Sequence, residues 1–264
     1  MSDPGTVSLL TDFGPGSVYV GQMHAVLQRR APGVRITDLA HDCPPGVVAS
    51  AGYVLHRSWR HFPAGTVHVA VVDPGVGSGR AILAARAHGQ TFIAPDNGLL
   101  GDVLADADDV AVRRIENEAL FNDVVSKTFH GRDVMAPVAA YLATGGAFDA
   151  VGPETTPTVA LPGATRAGDG IDATVLIVDR FGNLITDVPR TMIEDFAAPE
   201  DLRVRVGAAF IEGLMQTFSD VPRGIALIYL GSGDHLEIAV NGGRASDLLR
   251  LAVGSPVRVE RRQA

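Results

Sequence analysis

Asp73 and Arg80 stand at the two ends of a glycine-rich loop, Asp73-Pro74-Gly75-Val76-Gly77-Ser78-Gly79-Arg80, that follows an apolar run. The glycines let the chain fold back so that a guanidinium can approach a carboxylate. A neighbouring cation favours the charged form of a carboxylate in a site poor in water. Such a group can hold a water and draw off its proton. A phosphate cradle is the wrong reading. A Walker loop needs Lys then Ser or Thr after its last glycine, and here Gly79 is followed by Arg80-Ala81. The dinucleotide pattern G-x-G-x-x-G is not met by Gly75-Val76-Gly77-Ser78-Gly79 either, and Asp73 at the loop's mouth would repel a phosphate.

Other residues could join this pair. Asp12 ends the apolar run Val7–Leu10, as Asp73 ends its own, and ligands of open α/β sheets bind beyond the carboxyl ends of strands. His130, in Thr128-Phe129-His130-Gly131-Arg132-Asp133, precedes a helix-like run beside a glycine that leaves the backbone open to a ligand. Asp179-Arg180-Phe181-Gly182-Asn183 sets a carboxylate, an aromatic ring and an amide side by side, suited to an amine and a purine edge. Tyr229-Leu230-Gly231-Ser232-Gly233 and Val240-Asn241-Gly242-Gly243 offer backbone donors. Each stretch also has a plain structural reading, because Asp, Asn, Ser and Gly are turn formers. Asp96-Asn97-Gly98 is equally a turn or a contact. The remaining histidines lack a recognised metal-ligand spacing such as H-E-x-x-H, so no metal site is expected.

The elements that must position these residues alternate in type. Val7–Leu10, Val34–Leu39, Thr66–Val72, Ala81–Ala87 and Thr91–Ala94 read as strands. Tyr19–Arg30, Val47–His61 and Asp133–Thr144 read as helices. This alternation predicts a Rossmann-like α/β domain over residues 1–160, with a parallel or mixed sheet covered by helices. Residues 161–170, in a stretch rich in Pro, Gly and Thr, are expected to be a linker. Short β-type runs follow at 173–178, 202–206, 224–230, 235–240 and 256–260, predicting an all-β domain, sandwich or barrel-like, over 171–264.

Composition narrows the class. A net charge of −8, with Lys127 the only lysine, argues against a nucleic-acid-binding protein. Cys43 is the one cysteine, which excludes an internal disulfide and a thiolate zinc cluster and fits a reducing compartment. With no signal-like N-terminus and no long apolar run, a cytoplasmic protein without a membrane partner is expected.

Taken together, these stretches resemble the S-adenosyl-L-methionine (SAM) hydroxide adenosyltransferases, or SAM hydrolases, relatives of the bacterial fluorinase and chlorinase. The resemblance rests on Leu10-Thr11-Asp12-Phe13-Gly14, Val72 to Gly77, Pro95-Asp96-Asn97-Gly98, Thr128 to Asp133, Asp179 to Asn183, and Gly231-Ser232 with Asn241-Gly242. It implies that SAM is the substrate, hydrolysed to adenosine and methionine without cofactor or metal, in a homotrimer with sites at subunit interfaces. It implies a triad of Asp73, Arg80 and His130. Asp12 would bind the ribose hydroxyls, and Asp179 and Ser232 the amino and carboxylate ends of the methionine moiety. Asn183 and the backbone at Asn241-Gly242 would read the adenine edge, with Phe218 against its face. The related halogenases carry tyrosines where Asp73 and His130 stand, which favours water over halide as the nucleophile. A non-catalytic binder of adenosine-type ligands is the alternative of another class.

Overall fold

The protein was described as a computed structural model covering residues 5–207 and 209–262; residues 1–4, 208 and 263–264 lie outside the description. The chain divides into two compact units, Met1–Leu161 and Pro162–Ala264. Among the described residues no helix is long and apolar enough to cross a membrane.

Unit 1 runs β1 (Thr6–Thr11), α1 (Val18–Arg30), β2 (Arg35–Ala40), α2 (Val48–Ser58), β3 (Val67–Val71), β4 (Ile82–Ala87), β5 (Gln90–Pro95), α3 (Gly101–Ala105), β6 (Ala111–Arg114) and α4 (Ala136–Ala143). Its described strands form one six-stranded sheet of order β2-β1-β3-β5-β4-β6. β2, β1, β3 and β5 are parallel, and β4 runs antiparallel to β5 and β6. The central strand β3 is buried at every position, as its unbroken apolar run suggests for a strand covered on both faces. One face packs Val7, Leu9, Val67 and Val69 against Met23 and Leu27 of α1 and Val138 and Ala139 of α4. The other packs Leu10, Ala70 and Val72 against Ala51 and Leu55 of α2 and Val103 of α3. Residues of successive parity therefore face opposite helical layers.

Two expected helices differ in detail. α2 ends at Ser58 and is followed by a tight 3₁₀ turn over Trp59–His61. The helix expected over 133–144 is a wide π-turn, Gly131–Met135, leading into α4. Pro137 has no N–H for the carbonyl of Asp133 four residues back, and the Asn122 amide takes that carbonyl at 2.9 Å instead.

Unit 2 contains β7 (Thr165–Ala167), β8 (Gly170–Val178), β9 (Leu184–Pro189), α5 (Arg190–Glu194), β10 (Leu202–Val206), β11 (Ala209–Glu212), β12 (Leu214–Met215), β13 (Ala226–Leu230), β14 (His235–Val240), α6 (Ala245–Leu249) and β15 (Pro256–Arg261). The strands follow the order β11-β10-β15-β8-β9-β14-β13-β12, with β7 also on β8, and curl into a nearly closed barrel. Thr165–Ala167, inside the stretch read as a linker, pairs antiparallel with β8. Alternate residues such as Ile171, Val204, Leu236, Ile238 and Val259 fill the barrel core.

A titratable side chain is sealed among the buried polar residues of unit 1. His68 on β3 is fully buried, with Ser8 Oγ 2.6 Å from its Nδ1 and Gln90 Oε1 on its Nε2. Gln90 Nε2 donates to the carbonyls of Trp59 and Phe62, so its oxygen must accept the His68 Nε2–H, and Ser8 donates to Nδ1. Burial pushes the imidazole down to about 4, against a smaller upward pull from Gln90. Protons therefore bind the unfolded chain more readily, so the contribution of His68 to stability is complete above about pH 6.5 and is lost as pH falls towards 4. The loss expected is on the order of 3 kcal/mol. Urea midpoints measured between pH 7 and pH 4 should fall, and a His68→Gln variant, which cannot take up that proton, should show a shallower fall. Equal slopes for the two proteins would remove His68 as the cause.

Candidate active site

After β2 the chain returns across β1 to form β3, so neighbouring connections leave β1 and β3 in opposite directions. The crevice at the carboxyl ends of these two strands is where open α/β sheets bind ligands. Thr11 and Val71 are the last paired residues of the two strands. Asp12 and Asp73 therefore leave the same edge side by side.

The loop after β3 closes through short turns, with Val76 N donating to Asp73 O at 3.1 Å and Ser78 N to Gly75 O at 3.1 Å. It returns Arg80 to Asp73 as expected. Arg80 Nε lies 2.9 and 2.8 Å from the two carboxylate oxygens of Asp73, and Nη2 also bonds Oδ2. The side chains are only 5% and 11% exposed for Asp73 and Arg80, so the pair is shielded from water. Arg80 Nη2 also reaches His130 Nδ1 at 3.0 Å. A guanidinium can only donate, so Nδ1 must accept, and the neutral ring carries its proton on Nε2. Burial, then the charge of Arg80, lower the pKa of His130 below its ordinary value, while Asp73 and Asp133 pull the other way.

Asp12, Asp73 and His130 line one cavity of about 160 Å³ together with Phe13, Thr128 and Phe129. Arg80 stands behind the lining, bonded to both Asp73 and His130. Asp12 Oδ2 accepts the Gly46 amide at 2.8 Å. A neighbouring cavity of about 480 Å³ shares Phe13, Thr128 and Phe129. The rings of Phe13, Tyr19 and Phe129 meet edge to face at 5.3–5.8 Å and form an apolar wall.

Sequence reasoning assigned no role to Phe13, Tyr19, Phe129 or the Arg132–Asp133 pair. Asp133 is buried and accepts from Arg132 at 2.8 and 2.7 Å, from Asn122 Nδ2 at 3.0 Å and from Ser126 N at 2.9 Å. Burial alone would raise its pKa, but these donors bring it down to about 2. The Arg132 guanidinium lies 4.8 Å above the Phe129 ring, so this network braces the turn that carries His130. The signal was present in the order Phe129-His130-Gly131-Arg132-Asp133, but the ring-over-cation contact depends on the π-turn.

In unit 2, Asp179 caps its own hairpin: Oδ1 accepts from Phe181 N and Asn183 N, and Oδ2 from Asn183 Nδ2. Arg244 donates to the Arg180 carbonyl, and Ser246 N donates to Gly182 O, pinning this turn to the start of α6. Leu184 pairs with Ile238, so the hairpin lies towards the end of β14 that carries Asn241 and Gly242. Asn241 Nδ2 donates to Val221 O at 2.7 Å, and Gly242 has φ +68° with the Arg223 guanidinium beside it. Phe218 packs its ring 5.2 Å from that of Tyr229 and is 38% exposed. Ser232 is an exposed residue of the turn between β13 and β14; Gly231 beside it packs against the Glu237 side chain, whose carboxyl also feels the charge of Asp179. Asp96 and Asn97 prove to be structural: Asp96 accepts from the backbone and hydroxyl of Thr158, and Asn97 Nδ2 donates to Val72 O.

A buried carboxylate clamped by arginine beside a neutral histidine, at the switch point of an α/β unit that precedes a barrel-like β unit, defines a two-domain enzyme of narrow kind. Residues 7–152 match the family model described as SAM hydroxide adenosyltransferase N-terminal domain, and residues 173–258 that of the SAM hydroxide adenosyltransferase C-terminal domain. The chain belongs to the SAM hydroxide adenosyltransferase family. It is 39% identical to the (R)-S-adenosyl-L-methionine hydrolase of Salinispora tropica, with 96% of this chain and 97% of that one covered. The protein of that name from Thermus thermophilus is also 39% identical, over 96% of this chain and 98% of its own. A fluorinase of an Actinoplanes species is 25% identical, with 96% of each chain covered. Among solved structures, an uncharacterized conserved protein from Thermotoga maritima superposes with a TM-score of 0.87 at 37% identity, over 97% of this chain and 100% of that one.

Gly77 joins the two halves of the clamp. Its φ is +79°, and a Cβ there would lie 2.5 Å from the Lys127 carbonyl, just before the turn that bears His130. A Gly77→Ala substitution should therefore push the two loops apart and lower turnover by at least tenfold, an expected outcome to be checked by steady-state kinetics. Unchanged turnover would show that the loop contact does not hold the clamp.

Proposed function

We propose that this protein hydrolyses S-adenosyl-L-methionine to adenosine and L-methionine, acting on the R epimer at sulfur for which its relatives are named. The observation that carries the mechanism is Arg80 donating to both Asp73 and His130 Nδ1. With Nδ1 occupied, the His130 ring offers Nε2–H to the oxygen of a water, and Asp73 accepts the water's proton. The oxygen attacks ribose C5′ in line with the C–S bond. As the C5′–O bond forms, the C5′–S pair moves to the sulfonium sulfur, and methionine leaves as a neutral thioether that needs no proton. Asp73 releases the water's proton to solvent.

Orientation of the water can lower the barrier by roughly 7 kcal/mol or more in the best cases, and a positioned base adds on the order of 10²–10⁴-fold. Asp73 carries negative charge at the site of the nucleophile, which disfavours halide. Asp12, already fixed by the Gly46 amide, binds the ribose hydroxyls. Asp179 and Ser232 hold the methionine moiety, Asn183 and the backbone at Asn241-Gly242 read adenine, and Phe218 covers its face. We propose the homotrimer of the family resemblance, with sites at subunit interfaces, in the reducing cytoplasm that the buried thiol of Cys43 suits.

Incubation with each sulfonium epimer in ¹⁸O-water should give adenosine labelled at the 5′ oxygen, and faster from the R epimer. Absence of adenosine despite normal ligand binding would favour a binder, and 5′-halo-adenosine formed with added halide would favour a halogenase. Asp73→Asn should lower kcat by about 10²-fold or more with little change in KM, because the loss falls on the transition state. A rise in KM alone would instead make Asp73 a binding group.

A further inference from the structure

His41 was set aside in the sequence as a histidine without metal-ligand spacing, yet it occupies the junction of two loops at the candidate site. The loop after β1 carries Asp12 and Phe13; the loop after β2 carries His41 and Gly46. Three ties join them. Gly14 N donates to His41 O at 2.7 Å. The Thr11 hydroxyl and His41 Nδ1 share a hydrogen bond of 2.9 Å. Gly46 N donates to Asp12 Oδ2 at 2.8 Å.

Thr11 is fully buried, and its hydroxyl oxygen also accepts the Phe13 amide at 3.2 Å. The hydroxyl therefore spans from the His41 ring to the backbone immediately after Asp12. On its far side, His41 Nε2 lies 3.1 Å from Asp38 Oδ1 of β2. His24 of α1 approaches the same oxygen at 2.7 Å. Burial would raise the pKa of Asp38, but the two histidines hold it below the ordinary carboxylate range. Asp38 is thereby anchored between α1 and β2, and the His41 ring is fixed against it.

We propose that Thr11 and His41 are positioning residues for substrate binding: they set the Asp12–Gly14 turn so that Asp12 and Phe13 meet the ribose side of the ligand. The assignment rests on the hydrolase reading for its ligand, but its geometry lies wholly within unit 1. Neither residue lines the cavity, and neither touches the Asp73–Arg80–His130 clamp. Their effect should thus fall on binding and spare the chemical step.

Thr11→Val keeps the shape of the side chain and deletes the hydroxyl, while Thr11→Ser keeps the hydroxyl. Thr11→Val should raise KM about three- to tenfold, the range expected for one lost buried hydrogen bond, with kcat within about twofold of the unchanged protein. Thr11→Ser should restore KM. His41→Gln, measured in parallel, should raise KM in the same direction. Calorimetric titration with adenosine reads the same effect as a weaker Kd, whether or not hydrolysis is observed, so failure of the hydrolase reading and failure of this one are distinguishable. Unchanged adenosine affinity in both Thr11→Val and His41→Gln would overturn the proposal. So would parallel losses of kcat and thermal stability that Thr11→Ser does not reverse.

Discussion

The guanidinium of Arg80 is shared between two groups that need opposite things from it. To Asp73 it gives a charge partner and hydrogen bonds to both oxygens; to His130 it gives a donor that fixes the ring as a neutral Nε2–H tautomer. Removing one partner of such a shielded pair leaves an uncompensated charge, at a cost of about 3–5 kcal/mol. The loop from Asp73 to Arg80, the Gly77 contact with Lys127 and the π-turn after His130 all serve to hold that one cation in place.

Around this clamp the protein is built as a set of braced turns at one sheet edge. Each functional loop is tied to its neighbour: the β1 loop to the β2 loop through Thr11, His41 and Gly46, and the β3 loop to the 127–130 turn through Gly77. Arg132, stacked on Phe129 and paired with Asp133, braces that turn from the other side. Loops without regular secondary structure can thus hold their side chains in place, because β1 and β3 beneath them are buried on both faces. The β unit follows the same plan. Asp179 spends its oxygens on its own hairpin, and α6 pins that hairpin from outside.

Much of this was legible beforehand. Strand ends at Thr11 and Val71 were visible, to within a residue, as apolar runs stopping at Asp12 and Asp73, and the glycines between Asp73 and Arg80 announced a fold-back. The π-turn was not legible, because it arises from Pro137 withholding one N–H and Asn122 taking the carbonyl left over. The Asp96-Asn97-Gly98 turn was ambiguous for a similar reason: only its contacts with Thr158 and Val72 assign it to structure. Strands β6, β7, β9, β11 and β12 escaped notice, being short or interrupted by charged and turn residues that sheet pairing tolerates.

The sequence by itself determined which residue types stand at strand ends, the alternation that makes an α/β unit followed by a β unit, and the motif order that marks the family. These are local properties, set by periodicity and by turn chemistry. Only the tertiary structure decided that Arg80 reaches His130 as well as Asp73, and so which ring nitrogen is left to face the cavity. It alone showed that His41, unremarkable in the chain, lies against Thr11. Both facts depend on contacts between loops far apart in sequence, and no local pattern encodes the distance between them.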